Sequence, residues 1–268
     1  MEKEHEKPDQ EETSEEMEWE SLFQEKPDEE WEKQNQRRKR RKSMTFKIIG
    51  SLLAFSLVIS SLQVWFDIYN IPAIRFLKVS HQLSKLPEVS EYKKSVVTIE
   101  GNGVKGTGFN IDEDGLIVTN EHVVENTKMV NVQFKTGDSY IGKVISRNKE
   151  CDLAIVDIEA SNLSFLTLSF DQDLDKHVGE KIIFVGNPLA YTQIANEGKV
   201  EGKVLLPDWK VPVFMIDAPV YKGNSGSPVI DENGKVIGVI FATFTLSENH
   251  KRMGAAIPSY LVTEVLSK

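Results

Sequence analysis

The chain is short of several things that organise other proteins. It has one cysteine, Cys151, in 268 residues, so no intramolecular disulfide framework can staple it. That usage suits the cytosol, or a bacterial exterior where disulfides are sparse, better than a disulfide-rich secreted domain. Its five histidines are scattered at positions 5, 81, 122, 177 and 250, none at metal-ligand spacing. No metal and no cofactor is expected. Asp112-Glu113-Asp114-Gly115 is too short for a calcium-binding loop and reads as a hairpin turn. No unit of about 20–50 residues repeats. Basic charge is also in the minority, with 32 Lys and Arg against 41 Asp and Glu. Outside one basic run nothing suggests a nucleic-acid surface, and no nucleic-acid partner is expected.

What charge there is lies unevenly. The first 36 residues carry 15 acids against four bases, and Arg37 to Lys42 are all basic. Residues 1–42 are too polar to build a core and are expected as a disordered acidic tail ending in a basic cluster. Trp19, Leu22, Phe23 and Trp31 are its exceptions. They suit either one face of a transient helix docking on a cytoplasmic partner or, more plainly, a solvated tail. An apolar run from about Phe46 to Phe66 follows, long enough to cross the hydrocarbon core as a helix. Trp65 and Tyr69 fall where an interfacial aromatic belt lies. No small-x-small cleavage site follows, so residues 45–69 are read as an uncleaved signal-anchor. The basic flank makes the N-terminal side cytoplasmic and places everything beyond residue 70 outside. Residues 70–94 are read as a linker. There Phe76, Leu77, Val79, Leu83 and Leu86 hint at a short amphipathic helix that packs on the domain or on a neighbouring chain.

From Ser95 the texture changes to short β-type runs with closely spaced turn signals. Strands are expected at Val96–Ile99, Gly106–Ile111, Leu116–Thr119, Met129–Phe134, Tyr140–Ser146, Leu153–Ile158, Lys181–Val185, Lys199–Val204, Val213–Ile216, Pro228–Ile230 and Lys235–Phe241. Helix is expected only near Glu121–Asn126 and over Tyr260–Ser267, with Ser259 as its cap. The class is all-β.

The stretch Gly223-Asn224-Ser225-Gly226-Ser227-Pro228 carries the chemistry. A serine among small residues sits on a tight turn with its hydroxyl exposed, and the N–H groups of Gly223 and Ser225 can face one small space. That arrangement suits a nucleophile beside an oxyanion hole. His122 ends a strand, where an imidazole can face a cleft, whereas His177 and His250 read as exposed loop residues. Asp152 heads the apolar strand Leu153-Ala154-Ile155-Val156 and can be held against an imidazole; Asp157 faces the other side. The order His122, Asp152, Ser225 is that of chymotrypsin-type proteases, not of α/β-hydrolases or subtilisins. An intramembrane protease is disfavoured because these residues all lie outside the apolar span.

With these stretches stand Gly106-Thr107-Gly108-Phe109, Asp114 to Val124, Val185-Gly186-Asn187-Pro188, Val236-Ile237-Gly238-Val239 and Ala256-Ile257-Pro258-Ser259. In this order and spacing the set resembles the HtrA/Deg family of trypsin-like serine proteases over residues 95–268. The resemblance implies two six-stranded antiparallel barrels with a short C-terminal helix. It implies His122 as general base, Asp152 as its orienter, Ser225 as nucleophile, and the backbone of Gly223 and Ser225 as oxyanion hole. It further implies polypeptide substrates, misfolded or exported, and a homotrimer. Ser227 replaces the family's second glycine, and Tyr221-Lys222 replaces its Asn-Pro. The lost proline raises the expectation of a resting loop that substrate or a partner must order. The chain stops at Lys268, so a PDZ route for recognising substrate C-termini is expected to be absent. Pro219 stands where trypsin has its pocket acid, so small or medium apolar P1 side chains are expected. The rival class is a weakly active or inactive protease fold serving as a binding or chaperone module. The presence of all three triad residues favours the enzyme.

Overall fold

The computed structural model describes residues 29–68, 71–188, 191–207, 209–246 and 251–267. His5, Trp19, Leu22, Phe23, Tyr69 and His250 lie outside these. The chain divides into Met1–Asn70 and Ile71–Lys268.

Among the described residues of the first unit, a helix, α1, runs from Glu29 to Ile68. The basic cluster is part of it, because Glu, Lys, Gln and Arg are good helix formers. Its stretch Trp31–Ser60 is long and apolar enough to cross a membrane by length and composition. The apolar side chains along it are open: Phe46 is 74% exposed, Leu52 62% and Leu57 71%. Leaving such surface in water forfeits about 25 cal/mol per Å², whereas a helix satisfies its own backbone in lipid.

The described residues of the second unit form twelve strands in two closed six-stranded barrels. The first holds β1 (Val96–Gly101), β2 (Val104–Asn110), β3 (Leu116–Thr119), β4 (Met129–Gln133), β5 (Ser139–Asn148) and β6 (Leu153–Asp157) in the order β1-β2-β3-β6-β5-β4. The second holds β7 (Lys181–Gly186), β8 (Ile194–Val204), β9 (Val213–Asp217), β10 (Pro228–Ile230), β11 (Val236–Thr245) and β12 (Arg252–Pro258) in the order β10-β11-β12-β9-β8-β7. Neighbouring strands pair antiparallel throughout. Closure leaves no long edge for another chain to extend.

Burial explains why some strands alternate in polarity and others do not. β4 buries every second residue, Val130 and Val132, as a strand with one wet face should. β6 is buried on both faces: Ala154 and Val156 point into the first barrel, while Leu153 and Ile155 join a core shared between the barrels. The C-terminal helix α4 (Tyr260–Leu266) closes that shared core with Leu261, Val262 and Val265. Ser259 precedes it, but its hydroxyl donates to the Ser169 carbonyl at 2.6 Å instead of capping the helix.

Residues read from sequence as a linker form two helices, α2 (Ile71–Leu83) and α3 (Pro87–Ser95). Leu83 and Val89 enter the shared core. The Ala195 N–H donates to Ser80 Oγ at 3.1 Å, and Phe76 meets the Tyr221 ring edge-on at 5.0 Å. Two further differences concern the second barrel. β12 was not expected, because its Gly-Ala-Ala centre lacks the β-branched residues that mark strands. His177, expected to be exposed, is 7% exposed. It sits in a short 3-10 turn with Nδ1 2.8 Å from Glu180 Oε2 and its ring edge-on to Phe214.

Lys93 on α3 is 6% exposed, and its Nζ donates to Ser84 Oγ at 2.6 Å. Burial, with Lys135 adding repulsion, lowers its pKa to about 8. Below pH 8 the folded protein carries the full cost of the buried charge. Stability then rises with pH until the unfolded lysine also loses its proton near 10.5. Lys93→Met is expected to stabilise the fold at pH 7 by up to about 3 kcal/mol, and the gain should fade as pH rises from 8 to 10.5. Thermal melts of both proteins across that range check this; an equal gain at both ends would place the effect elsewhere.

Candidate active site

β3 runs out at Thr119, and the next residues form a 3-10 turn, Glu121–Val123, that carries His122. This turn is fastened to the head of β6. The Asp152 carbonyl accepts from Asn120 Nδ2 at 2.9 Å and from the Glu121 N–H at 3.2 Å. Its carboxylate accepts the His122 N–H on Oδ1 at 3.0 Å, and Oδ2 lies 2.7 Å from His122 Nδ1. One acid therefore holds both backbone and ring. Asp152 adopts φ +48° to do so, a left-handed conformation that a short polar side chain tolerates better than most. A carboxylate can only accept, so Nδ1 carries the ring proton and Nε2 keeps its lone pair. The hydrogen bond that His122 donates to Asp152 raises the His122 pKa above its ordinary 6.5; burial opposes this, and the charges of Asp152, Glu121 and Glu125 add to it.

The serine loop is built from the opposite barrel. The Asn224 N–H donates to the Tyr221 carbonyl at 3.1 Å, and Gly223 has φ +98°. This is a type II turn, whose third residue requires a positive φ and hence glycine. Gly226, also at positive φ, presses on the first barrel: a Cβ there would overlap the Thr107 carbonyl. Two bonds lay the loop along β11, Gly226 N–H to the Ile240 carbonyl at 2.8 Å and Ile240 N–H to the Ser227 carbonyl at 2.9 Å.

Thr107 joins the two halves. Its N–H donates to the Ser225 carbonyl at 2.9 Å and its hydroxyl donates to the Gly223 carbonyl at 2.7 Å. The same hydroxyl accepts the Asn187 N–H at 2.9 Å. The strand passes between the histidine turn and the serine loop, since a Cβ on Gly106 would lie 2.7 Å from Val123 Cγ1 and 3.4 Å from the Ser225 carbonyl. Lys222 leaves the turn formed, because the second turn position accepts most residues. Ser227 is fully buried, and its hydroxyl occupies space that a side chain on Gly186 would fill.

Among the described residues, neither the Gly223 N–H nor the Ser225 N–H donates to a protein acceptor. The Ser225 hydroxyl donates to the Phe241 carbonyl at 3.4 Å, where a bulge between Ile240 and Ala242 re-aims β11. The structure thus pairs His122 with Asp152 and gathers Gly223 and Ser225 in one loop, while the serine hydroxyl rests on Phe241 rather than on the imidazole. No group of three His, Cys, Asp or Glu side chains among the described residues is placed to hold a metal.

The family model for the trypsin-like peptidase domain matches residues 106–239, half of the chain. The chain belongs to the trypsin-like peptidase family. The chain is 34% identical over 171 residues to a probable periplasmic serine endoprotease, DegP-like, of Chlamydia muridarum. The match covers 62% of this chain and 34% of that protein, so the chain spans about a third of the length of the curated relatives it matches. The Rv3671c protease of M. tuberculosis, solved in an inactive form, is 27% identical with a TM-score of 0.59, covering 69% of this chain and 93% of its own. A serine endoprotease from Yersinia pestis shares the fold at a TM-score of 0.59 and 24% identity, covering 67% of this chain and 64% of its own.

Sequence reasoning singled out Gly-Thr-Gly without seeing that the Thr107 hydroxyl grips the serine loop. It gave no role to Phe241, which the loop's bonds to β11 bring to Ser225, or to Arg252, which β12 carries beside β11. The His122–Asp152 pair in this trypsin-like peptidase can be tested directly. Asp152→Asn removes the bond that raises the His122 pKa, so the ring should titrate above pH 6.5 in the native protein and clearly lower in the variant. NMR titration of the His122 ring reads both; an unchanged midpoint would mean the pair is not formed in solution.

Proposed function

We propose that the protein is a membrane-anchored serine endopeptidase whose domain beyond residue 70 faces outward and cleaves misfolded or exported polypeptides. The observation that carries this reading is the His122–Asp152 pair, bonded at backbone and ring, opposite a serine loop with two unengaged N–H groups. In the reaction, Ser225 turns from the Phe241 carbonyl by rotation about Cα–Cβ, and its Oγ attacks the scissile carbonyl. His122 Nε2 takes the hydroxyl proton, and Asp152 stabilises the imidazolium that forms. The N–H groups of Gly223 and Ser225 receive the oxyanion, each such donor being worth roughly 3–4 kcal/mol of barrier. The imidazolium gives its proton to the leaving amine, leaving an acyl ester on Ser225. Water, deprotonated by the same nitrogen, then releases the acid.

The apolar length of α1 supports the anchor, and its flanking Arg37–Lys42 cluster supports a cytoplasmic N-terminus. The periplasmic naming of the Chlamydia relative agrees with an outward-facing domain. One observation favours the rival reading of a silent binding module, the bond from Ser225 to Phe241. Reactivity separates the two. The native protein in membranes should label with a fluorophosphonate and degrade unfolded casein, and Ser225→Ala should abolish labelling and cut proteolysis by at least about 10³-fold. Protease added outside intact cells should digest the labelled domain. Casein cleavage that survives Ser225→Ala would refute the assignment.

A further inference from the structure

A pocket of about 220 Å³ opens beside Ser225, lined among others by Val220, Lys222, Ile240, Phe241 and Arg252. It lies on the Phe241 side of the serine, toward which the hydroxyl already points. On the endopeptidase reading, a pocket that Ser225 itself lines is where the side chain of the residue whose carbonyl is attacked (P1) is received. Val220 packs close to Gly254, where an added Cβ would lie 2.8 Å from Val220 Cγ2, so an apolar wall stands near the pocket's inner end.

The charges on the rim do not match an apolar guest. Lys222 and Arg252 line the pocket, and among the described residues no Asp or Glu does. Arg252 Nη2 donates to Thr243 Oγ1 at 3.2 Å, and both residues line the pocket. Among the described residues neither cation has a carboxylate partner. The neighbouring acid, Asp217, is engaged by Lys251 at 2.7 Å. In a chain of net charge −9, two cations beside one serine, with no carboxylate partner among the described residues, form a local positive site. A guanidinium offers five N–H groups in a planar fork that matches a carboxylate. An apolar P1 group would desolvate that fork and return nothing.

We infer that Arg252 selects an acidic P1 residue, aspartate or glutamate, with Lys222 adding to the attraction. This replaces the apolar preference expected from Pro219, and it rests on the endopeptidase reading above. The test uses the full chain in detergent and peptides identical except for P1 Asp, Glu, Asn, Gln, Val or Ala, with fluorophosphonate labelling of Ser225 in parallel. Peptides with P1 Asp or Glu should exceed their Asn and Gln counterparts by about tenfold to a hundredfold in kcat/KM, and the preference should weaken with added salt. Arg252→Gln should bring the acid-to-amide ratio close to unity, mainly through KM, and Arg252→Lys should restore part of it. A labelled enzyme that prefers Val or Ala, or a ratio unchanged in a labelled Arg252→Gln protein, overturns this inference and leaves the endopeptidase reading intact. A native protein that neither labels nor cleaves any peptide overturns both.

Discussion

The structure depends on the grip of Thr107 on the loop that carries Ser225. The loop belongs to the second barrel and Thr107 to the first, so three hydrogen bonds at one residue set the register between the halves. Each is an ordinary bond, worth about 1 kcal/mol net. Their weight comes from where they act. The hydroxyl holds the Gly223 carbonyl, which shares a peptide plane with the Asn224 N–H that closes the turn on Tyr221, so the turn carrying Gly223 is held at both sides of that peptide. Gly226 makes the approach possible by having no side chain to meet the Thr107 carbonyl.

The electrostatic design is similarly economical. A carboxylate at the head of β6 could have been left to solvent. Here it is turned into a left-handed conformation, and both its oxygens are spent on one residue. A pair bonded at backbone and ring cannot rotate without breaking two contacts, so the tautomer and the direction of Nε2 are set together.

Much of this was legible from residues alone, and the exceptions have physical reasons. The strands of the first barrel announced themselves through β-branched runs ended by turn residues, and His122, Asp152 and Ser225 stood at element boundaries where a side chain can face a cleft. β12 was hidden because small residues at its centre are required by close packing, so Gly254-Ala255-Ala256 carries no strand signature. His177 looked like a loop residue because its partners, Glu180 and Phe214, are a turn neighbour and a distant strand. The segment after residue 70 showed only the hint of an amphipathic helix and otherwise looked like a spacer, because the strand it packs on is distant in sequence, as with Ser80 and Ala195. Contacts made only through tertiary pairing leave no local trace in composition.

That last segment has a consequence for how the domain ends. Phe76 rests against Tyr221, the first residue of the turn that presents Gly223. The tether is therefore also a wedge, and the piece of chain able to stand alone begins ahead of Phe76 rather than at the first strand. A nick near Asn70 would shed a domain with its wedge in place. A nick at the exposed Lys85 would release barrels that keep every strand yet lack the ring beneath Tyr221.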